Sequence, residues 1–259
     1  IIKSILNEGW GKIYVENPEK PQIALLSYTS FYILAGNSKH KDAGEILSYI
    51  PHHKIILIPN DDWAELLKNY WGIRLVEKKN DRTKFSSSKL NLNQIKKLKK
   101  KLPEGLIIEH INSQNAQLFD KTMKESFFFL FGSLEVFLEK GFGFCIREGD
   151  NIIGGATTGN PLYDNTFEIQ VYIKKEYRRK GLATILCSYL IEYSLENGIE
   201  PRWDAENKNS AKLALKLGYT DPEPYSYYFH TKLPVIILRK LKINKLILYL
   251  LKILGKIDE

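Results

Sequence analysis

The sequence predicts a mixed α/β (α+β) fold, and three observations carry that expectation. Apolar β-runs and helix-period segments alternate along the 259 residues. Three of the β-runs follow one another directly between residues 142 and 173, separated only by turn signals. The two helical segments after them end at Gly198 and Gly218, where helices commonly stop. The C-terminal order, three strands, helix, strand, helix, strand, describes a mixed sheet with helices packed on it, in a unit of about 130 residues.

Each element has its own local reason. In residues 1–103, "KIYVEN" and "SFYILAG" read as strands, "DAGEILSYI" as a helix and "KIILIPN" as a buried strand. "DDWAELLKNYW" opens on two acids, which suit a helix N-terminus. "IRLVEKK" and "RTKFSSS" read as a strand pair, and "LNQIKKLKKKL" as a basic helix stopped by Pro103. A second unit spans 104–232. "LIIEHI" is its first strand, followed by a helix from "SQNAQLFDKTMKES" capped by Asn112 or Ser113. "FFFLFGSLEVF" packs five phenylalanines into eleven residues, a pattern that suits core. "FGFCIRE", "IIGGATTG" and "TFEIQVYI" are the three strands. Leu182, Ile185, Leu186, Tyr189, Leu190 and Tyr193 then mark one apolar helix face. "EPRWDA" is a short strand, Asn207 caps the next helix, and "TDPEPYSYYFHT" closes the unit.

Composition narrows the function. The formal charge of +8 is concentrated: Lys96–Lys101 contributes +5 and the segment from Lys232 to Glu259 another +5, leaving the remainder near −2. A general nucleic-acid platform is therefore not expected. Cys145 and Cys187 sit in apolar patterns, which points to buried reduced thiols and a cytoplasmic setting. "IIKSILNEGWGK" has too short an apolar stretch for a secretory leader. His52 and His53 are neighbours that point to opposite faces, so they read as surface histidines, and no metal site is expected.

The chemistry concentrates in "VYIKKEYRRKGLAT", Val171 to Thr184. Five cations precede a glycine where a strand gives way to a helix. A helix N-terminus carries unpaired N–H groups and partial positive charge, and glycine permits close approach of an anion. The stretch is neither a Walker A loop nor a dinucleotide fingerprint.

"RRKGLA" (Arg178–Ala183) resembles the Q/R-x-x-G-x-G/A signature of the GCN5-related N-acetyltransferases (GNAT). "WDAENKNSAKLALKLGY" resembles the second recurring stretch of that family, with Asn207 lying 26 residues after Gly181. Together with "GFGFCIREGDNIIGGA", these pieces look most like the zwittermicin-A-resistance-like branch. The resemblance implies a GNAT acyl-CoA N-acyltransferase fold: a mixed, mostly antiparallel sheet flanked by helices, with a smaller N-terminal α/β domain. It also implies acetyl-CoA as cosubstrate. Main chain at Val171 and Ile173 would pair with the pantetheine arm. Arg178, Arg179, Lys180, Gly181, Leu182, Ala183 and Thr184 would surround the pyrophosphate, with Asn207 and Ser210 near the arm. The acceptor would be a small-molecule amine, attacking the thioester directly.

Such a transfer needs a proton acceptor, because alkyl amines are protonated at neutral pH. Glu168, sharing a strand face with Gln170 and Tyr172, is the first candidate and Asp204 the second. The tyrosine that the family uses as general acid is replaced by Ala214, which leaves Tyr219, Tyr225, Tyr227 and Tyr228 as stand-ins. It also leaves a second reading, a CoA-binding sensor or scaffold without turnover. The tail, 233–259, reads as a basic amphipathic helix with a stripe of Arg239, Lys242, Lys245, Tyr249, Lys252 and Lys256. Its candidate uses are packing on the same chain, a homodimer contact, or an anionic membrane surface.

Overall fold

The computed structural model describes residues 2–99, 102–123 and 130–234. The chain divides into two compact units. One holds the residues up to Asp81 and those from Tyr225 on, and the other runs from Arg82 to Pro224.

The first unit begins with α1 (Ile2–Glu8), β1 (Lys12–Val15), β2 (Ile23–Tyr28) and β3 (Phe31–Gly36). It continues through α2 (Ala43–Leu47), β4 (Ile55–Leu57) and α3 (Asp61–Trp71). β5 (Leu75–Ser86) leads out of it. "IALLSY", the buried run that forms β2, escaped the sequence reading because it lies next to β3 with only Thr29 and Ser30 between them. Trp63 is completely buried among Leu25, Leu34, Leu47 and Leu67, and its ring N–H donates to the Gly36 carbonyl at 2.9 Å. Asn60 caps α3 by accepting from the Trp63 amide. The expected strand pair at "IRLVEKK" and "RTKFSSS" is a single strand. Asn80 takes a positive φ of 51° within it, a conformation asparagine tolerates, and the strand continues through it.

His52 and His53 also depart from the expected surface pair. The Nδ1 atoms of His52 and His230 lie 3.0 Å apart, and His230 Nε2 lies 2.9 Å from the Ile50 carbonyl. A carbonyl only accepts, so Nε2 carries the proton and Nδ1 of His230 accepts from His52. The buried His230 ring stacks on Trp71 at 4.2 Å, and burial pulls its pKa down to about 4.

The second unit adds α4 (Leu92–Leu98), β6 (Leu106–His110), α5 (Ala116–Met123), α6 (Leu134–Lys140), β7 (Gly143–Glu148) and β8 (Asn151–Thr158). β9 (Thr166–Ile173), α7 (Leu182–Glu196), β10 (Glu200–Ala205) and α8 (Lys208–Leu217) follow, and β11 (Thr220–His230), which ends in the first unit, starts in this one. Its strands run in the order β5-β10-β9-β8-β7-β6. The β9–β10 pair is parallel, and the β5–β10, β8–β9, β7–β8 and β6–β7 pairs are antiparallel. This is the mixed, mostly antiparallel sheet expected. α7 and α8 cover one face, where Phe167, Ile173, Trp203, Ala205, Leu186 and Leu190 form the core. α5 covers the other face, where Phe119 and Met123 pack with Phe137 and Ile152.

The compact division does not follow the 103/104 boundary read from the sequence. Residues 82–99 belong with the second unit. Ile95 of α4 is fully buried in the α7-side core, and Lys96 and Lys99 ion-pair with Glu196 and Glu192 of α7. The charge run was therefore in part a helix-docking face. Lys100, Lys101, Phe127–Phe129 and the tail from 235 to 259 lie outside the described residues. Cys145 and Cys187 are buried free thiols, and burial raises the first to about 12. Among the described residues, no helix is long and apolar enough to cross a membrane and no group of metal-ligating side chains occurs.

Two glycines in β8 leave room for its neighbours. A Cβ at Gly155 would stand 2.3 Å from the ring of Phe119, itself fully buried. Gly155→Ala is expected to destabilise the protein by about 1–3 kcal/mol, because the ring has nowhere to retreat. The midpoint of urea unfolding reads this, and an unchanged midpoint would show that α5 can shift.

Candidate active site

β9 and β10 begin as partners and then part. The parallel register runs Glu200↔Thr166, Pro201↔Phe167 and Arg202↔Glu168, and stops there. Beyond it, β10 pairs on its other side with β5, as Trp203↔Phe85, Asp204↔Lys84 and Ala205↔Thr83. β9 continues to Ile173 against β8 alone. The Glu168 carbonyl accepts from Gly159 and the Lys174 amide donates to Ile153, both on the β8 side. By strand alternation, the main-chain groups of Ile169, Val171 and Ile173 face the opening left by β10.

At the point of parting lies a cavity of about 570 Å³, whose lining includes Glu168, Glu200, Arg202, Trp203, Asp204 and Lys84. β10 alternates cleanly: Pro201, Trp203 and Ala205 are buried, while Glu200, Arg202 and Asp204 share the outer face with Glu168. Most of these charges are matched. Asp204 pairs with Arg82 at 3.3 Å, and Glu200 accepts from Ser87 at 2.6 Å and from Arg202 at 3.2 Å. Glu168 differs. Its Oε2 is buried and has no hydrogen-bond partner among the described residues. Burial, reinforced by the negative charge of Asp204, raises its pKa from 4.5 to about 7 against the opposing pull of Arg202 and Arg82. A carboxyl balanced near neutrality can take a proton from an amine and release it again.

The corner after β9 is built from main chain. A 3-10 turn at Lys175–Tyr177 leads to Arg178, and then Arg179 (φ 66°) and Gly181 (φ 81°) take left-handed conformations on either side of Lys180. The N–H groups of Arg179, Lys180, Gly181, Leu182 and Ala183 have no partner among the described residues. No side chain caps α7, and a Cβ at Gly181 would meet nothing within 4 Å. Alternating left-handed residues ahead of an uncapped helix form an open anion nest. Thr184 differs from its neighbours, because its N–H already donates to the Gly181 carbonyl at 3.0 Å.

Other expected site residues have structural partners. Arg178 donates through Nε to the Ile173 carbonyl at 2.8 Å and lies over the Tyr172 ring. The side chain thus ties the strand end to the corner. Asn207 caps α8, its Oδ1 accepting from the Asn209 and Ser210 amides, both at 3.0 Å. The Ser210 hydroxyl accepts from the Trp203 ring N–H at 3.1 Å. Ala214 is fully buried, and the Tyr219 hydroxyl, also buried, donates to the Pro201 carbonyl at 2.9 Å. Burial holds the Tyr219 phenol well above its ordinary pKa. The sequence reading missed Arg202, Glu200, Lys84 and the serines Ser86–Ser88 that also line the cavity. The alternation in "EPRWDA" was the available signal for the first two.

A family model described as GNAT acetyltransferase matches residues 1–228. The chain is 27% identical over 234 residues to the uncharacterized N-acetyltransferase YdfB of Bacillus subtilis (strain 168), with 85% of each protein covered. Among solved structures it is similar to a GCN5-related N-acetyltransferase-like protein from Streptococcus suis 89/1591. The TM-score is 0.71 at 30% identity, covering 85% of this chain and 88% of that one. A GCN5-related N-acetyltransferase from Kribbella flavida shares the fold at a TM-score of 0.56 and 14% identity, covering 88% of this chain and 93% of that one.

Proposed function

The chain belongs to the GNAT acetyltransferase family, and from that premise we propose that it transfers acetyl from acetyl-CoA to a primary amine of a small molecule. We place it in the zwittermicin-A-resistance-like branch and in the cytoplasm. The observation that carries the reading is the end of β9–β10 pairing at Glu168 and Arg202, with a buried, unpartnered carboxyl oxygen, Glu168 Oε2, at that point. A thioester cosubstrate threaded between the strands would end beside a proton acceptor.

The residues present suit that cosubstrate. The open edge at Val171 and Ile173 offers main-chain groups to the pantetheine amides, although Arg178 already engages the Ile173 carbonyl. The nest from Arg179 to Ala183 accepts the pyrophosphate, with Lys180 adding charge; Arg178 and Thr184 support the corner's shape. Asn207 and Ser210 hold the start of α8 and the Trp203 ring next to the arm.

In the reaction, the amine nitrogen bonds to the acetyl carbon, the carbon–sulfur bond breaks, and CoA leaves as thiolate. Glu168 takes the proton that the amine sheds. Asp204, held by Arg82, keeps the Glu168 pKa high enough for that exchange. Tyr219 is committed to Pro201, and a thiol pKa near 8.5 lets the thiolate leave with little help from an acid. The unpartnered Glu168 Oε2 favours turnover over a scaffold role, since a buried carboxyl oxygen without a partner costs stability.

Calorimetric titration with acetyl-CoA, followed by thiol release in the presence of a primary-amine panel, tests the reading. Binding in the micromolar range and amine-dependent thiol release are expected. Binding without release for any amine would leave the scaffold reading standing, and no binding would remove both.

A further inference from the structure

The cavity beside Glu168 carries a second unmet requirement. Arg202 is the register partner of Glu168, so the two side chains rise from one sheet face on adjacent strands, roughly 5 Å apart at the backbone. They form no ion pair with each other. Arg202 has one hydrogen bond, through a single terminal nitrogen to Glu200, and about half of its side chain is exposed. A guanidinium has five N–H donors in a fixed fork. Arg202 lines the cavity, and the other donors of its fork have no partner among the described residues. Asp204 and Glu200 are already matched by Arg82, Ser87 and Arg202 itself, and Lys84 adds a further cation to the lining. The groups presented to a ligand are thus one proton-accepting carboxyl and, next to it, one anion-binding fork.

That anion is not the CoA pyrophosphate. Glu168 and Arg202 stand five residues before the end of β9, about 16 Å of strand away from Ile173, and the Gly181 corner lies beyond that. It must belong to the other substrate.

We propose that the acceptor is an amino acid-like zwitterion, whose amine faces Glu168 and whose neighbouring carboxylate is held by Arg202. This rests on the acetyl-transfer reading for the role of the amine, but the recognition it describes is a matter of binding. A polycationic acceptor finds little here, because only one carboxyl of the cavity is unmatched. A bare amine finds Glu168 and leaves the fork unfilled.

The test is calorimetry on the full chain with CoA present, using matched pairs: lysine and cadaverine, tyrosine and tyramine, histidine and histamine. At least one amino acid is expected to bind about 10-fold or more tightly than the amine lacking its carboxylate, the worth of a charged hydrogen-bonded pair. Arg202→Gln should abolish that preference, and Arg202→Lys should keep part of it, since charge survives but the fork does not. Acetyl-CoA binding should be the same in all three proteins, and a cooperative urea transition should show each variant to be folded. Equal binding within every pair, no binding by any amino acid, or a preference that survives in Arg202→Gln would overturn the proposal. A preference lost in Arg202→Gln without any acetylated product would uphold the ligand class while removing acetyl transfer. Acetylation of bare amines with equal affinities would do the reverse.

Discussion

Glu168→Gln is expected to lower kcat by about 10²–10³-fold while making the folded protein more stable at pH 8. The two effects have one cause. Burial raises the Glu168 pKa from 4.5 to about 7. Between those values the folded chain keeps a proton that the unfolded chain has released, so the parent loses stability as pH rises through that window. Above pH 7 the whole penalty is present; below about pH 4 it vanishes. Glutamine never ionises and escapes it. The variant should therefore exceed the parent by on the order of 2–3 kcal/mol in urea unfolding at pH 8, and match it at low pH. The parent's kcat should rise through a pH near 7 as the carboxyl becomes able to accept a proton, and the variant's should not. Affinity for acetyl-CoA should stay the same, because the proposed binding mode puts the carboxyl past the reacting end of the arm. An unchanged kcat at saturating substrate would exclude Glu168 from the chemistry. A stability gain of equal size at both pH values would trace it to packing rather than charge.

The glycine corner was legible because everything it needs is local. A strand run, a set of cations, a glycine and a helix face occur within Val171–Tyr193, and the structure puts Gly181 at φ 81° ahead of an uncapped helix. Asn207 and Gly218 were legible for the same reason, as helix boundaries written in single residues. The cavity was less so. Asp204 and Lys84 are 120 positions apart and meet only because β5 pairs with β10, a pairing that no short pattern encodes. The turn-like residues at Asn80 and Asp81 argued for a hairpin, whereas Asn80 tolerates its positive φ inside one long strand. This also displaced the boundary, since residues 82–99 carry β5 and α4 to the core under α7. Side-chain roles were the hardest to read. Arg178 sits where charge for a phosphate was expected, yet its Nε is spent on the Ile173 carbonyl. Ser210 is expected either near the cofactor arm or as a first-turn residue, and its hydroxyl receives the Trp203 ring N–H, a partner no local pattern signals.

Gly181→Glu is expected to weaken acetyl-CoA binding by at least about 100-fold with a small loss of stability. The position separates the two quantities unusually well. A Cβ there meets nothing within 4 Å, so no neighbour has to move. The folding cost is then the left-handed conformation alone, at φ 81°, about 1–2 kcal/mol for a residue with a Cβ. On the proposed binding mode the binding cost is larger, because the same empty space is where the pyrophosphate would approach the N–H groups of Arg179 to Ala183. A glutamate fills it with bulk and places a negative charge beside the diphosphate. Gly181→Asn provides the control, since asparagine tolerates the left-handed region and adds no charge. It should fold like the parent and bind with an intermediate loss. Calorimetry and urea midpoints on the three proteins decide the matter. Parallel losses of binding and stability would mean that Gly181 serves only the turn. A binding loss far exceeding the stability loss, graded from asparagine to glutamate, would tie the open corner to the phosphates.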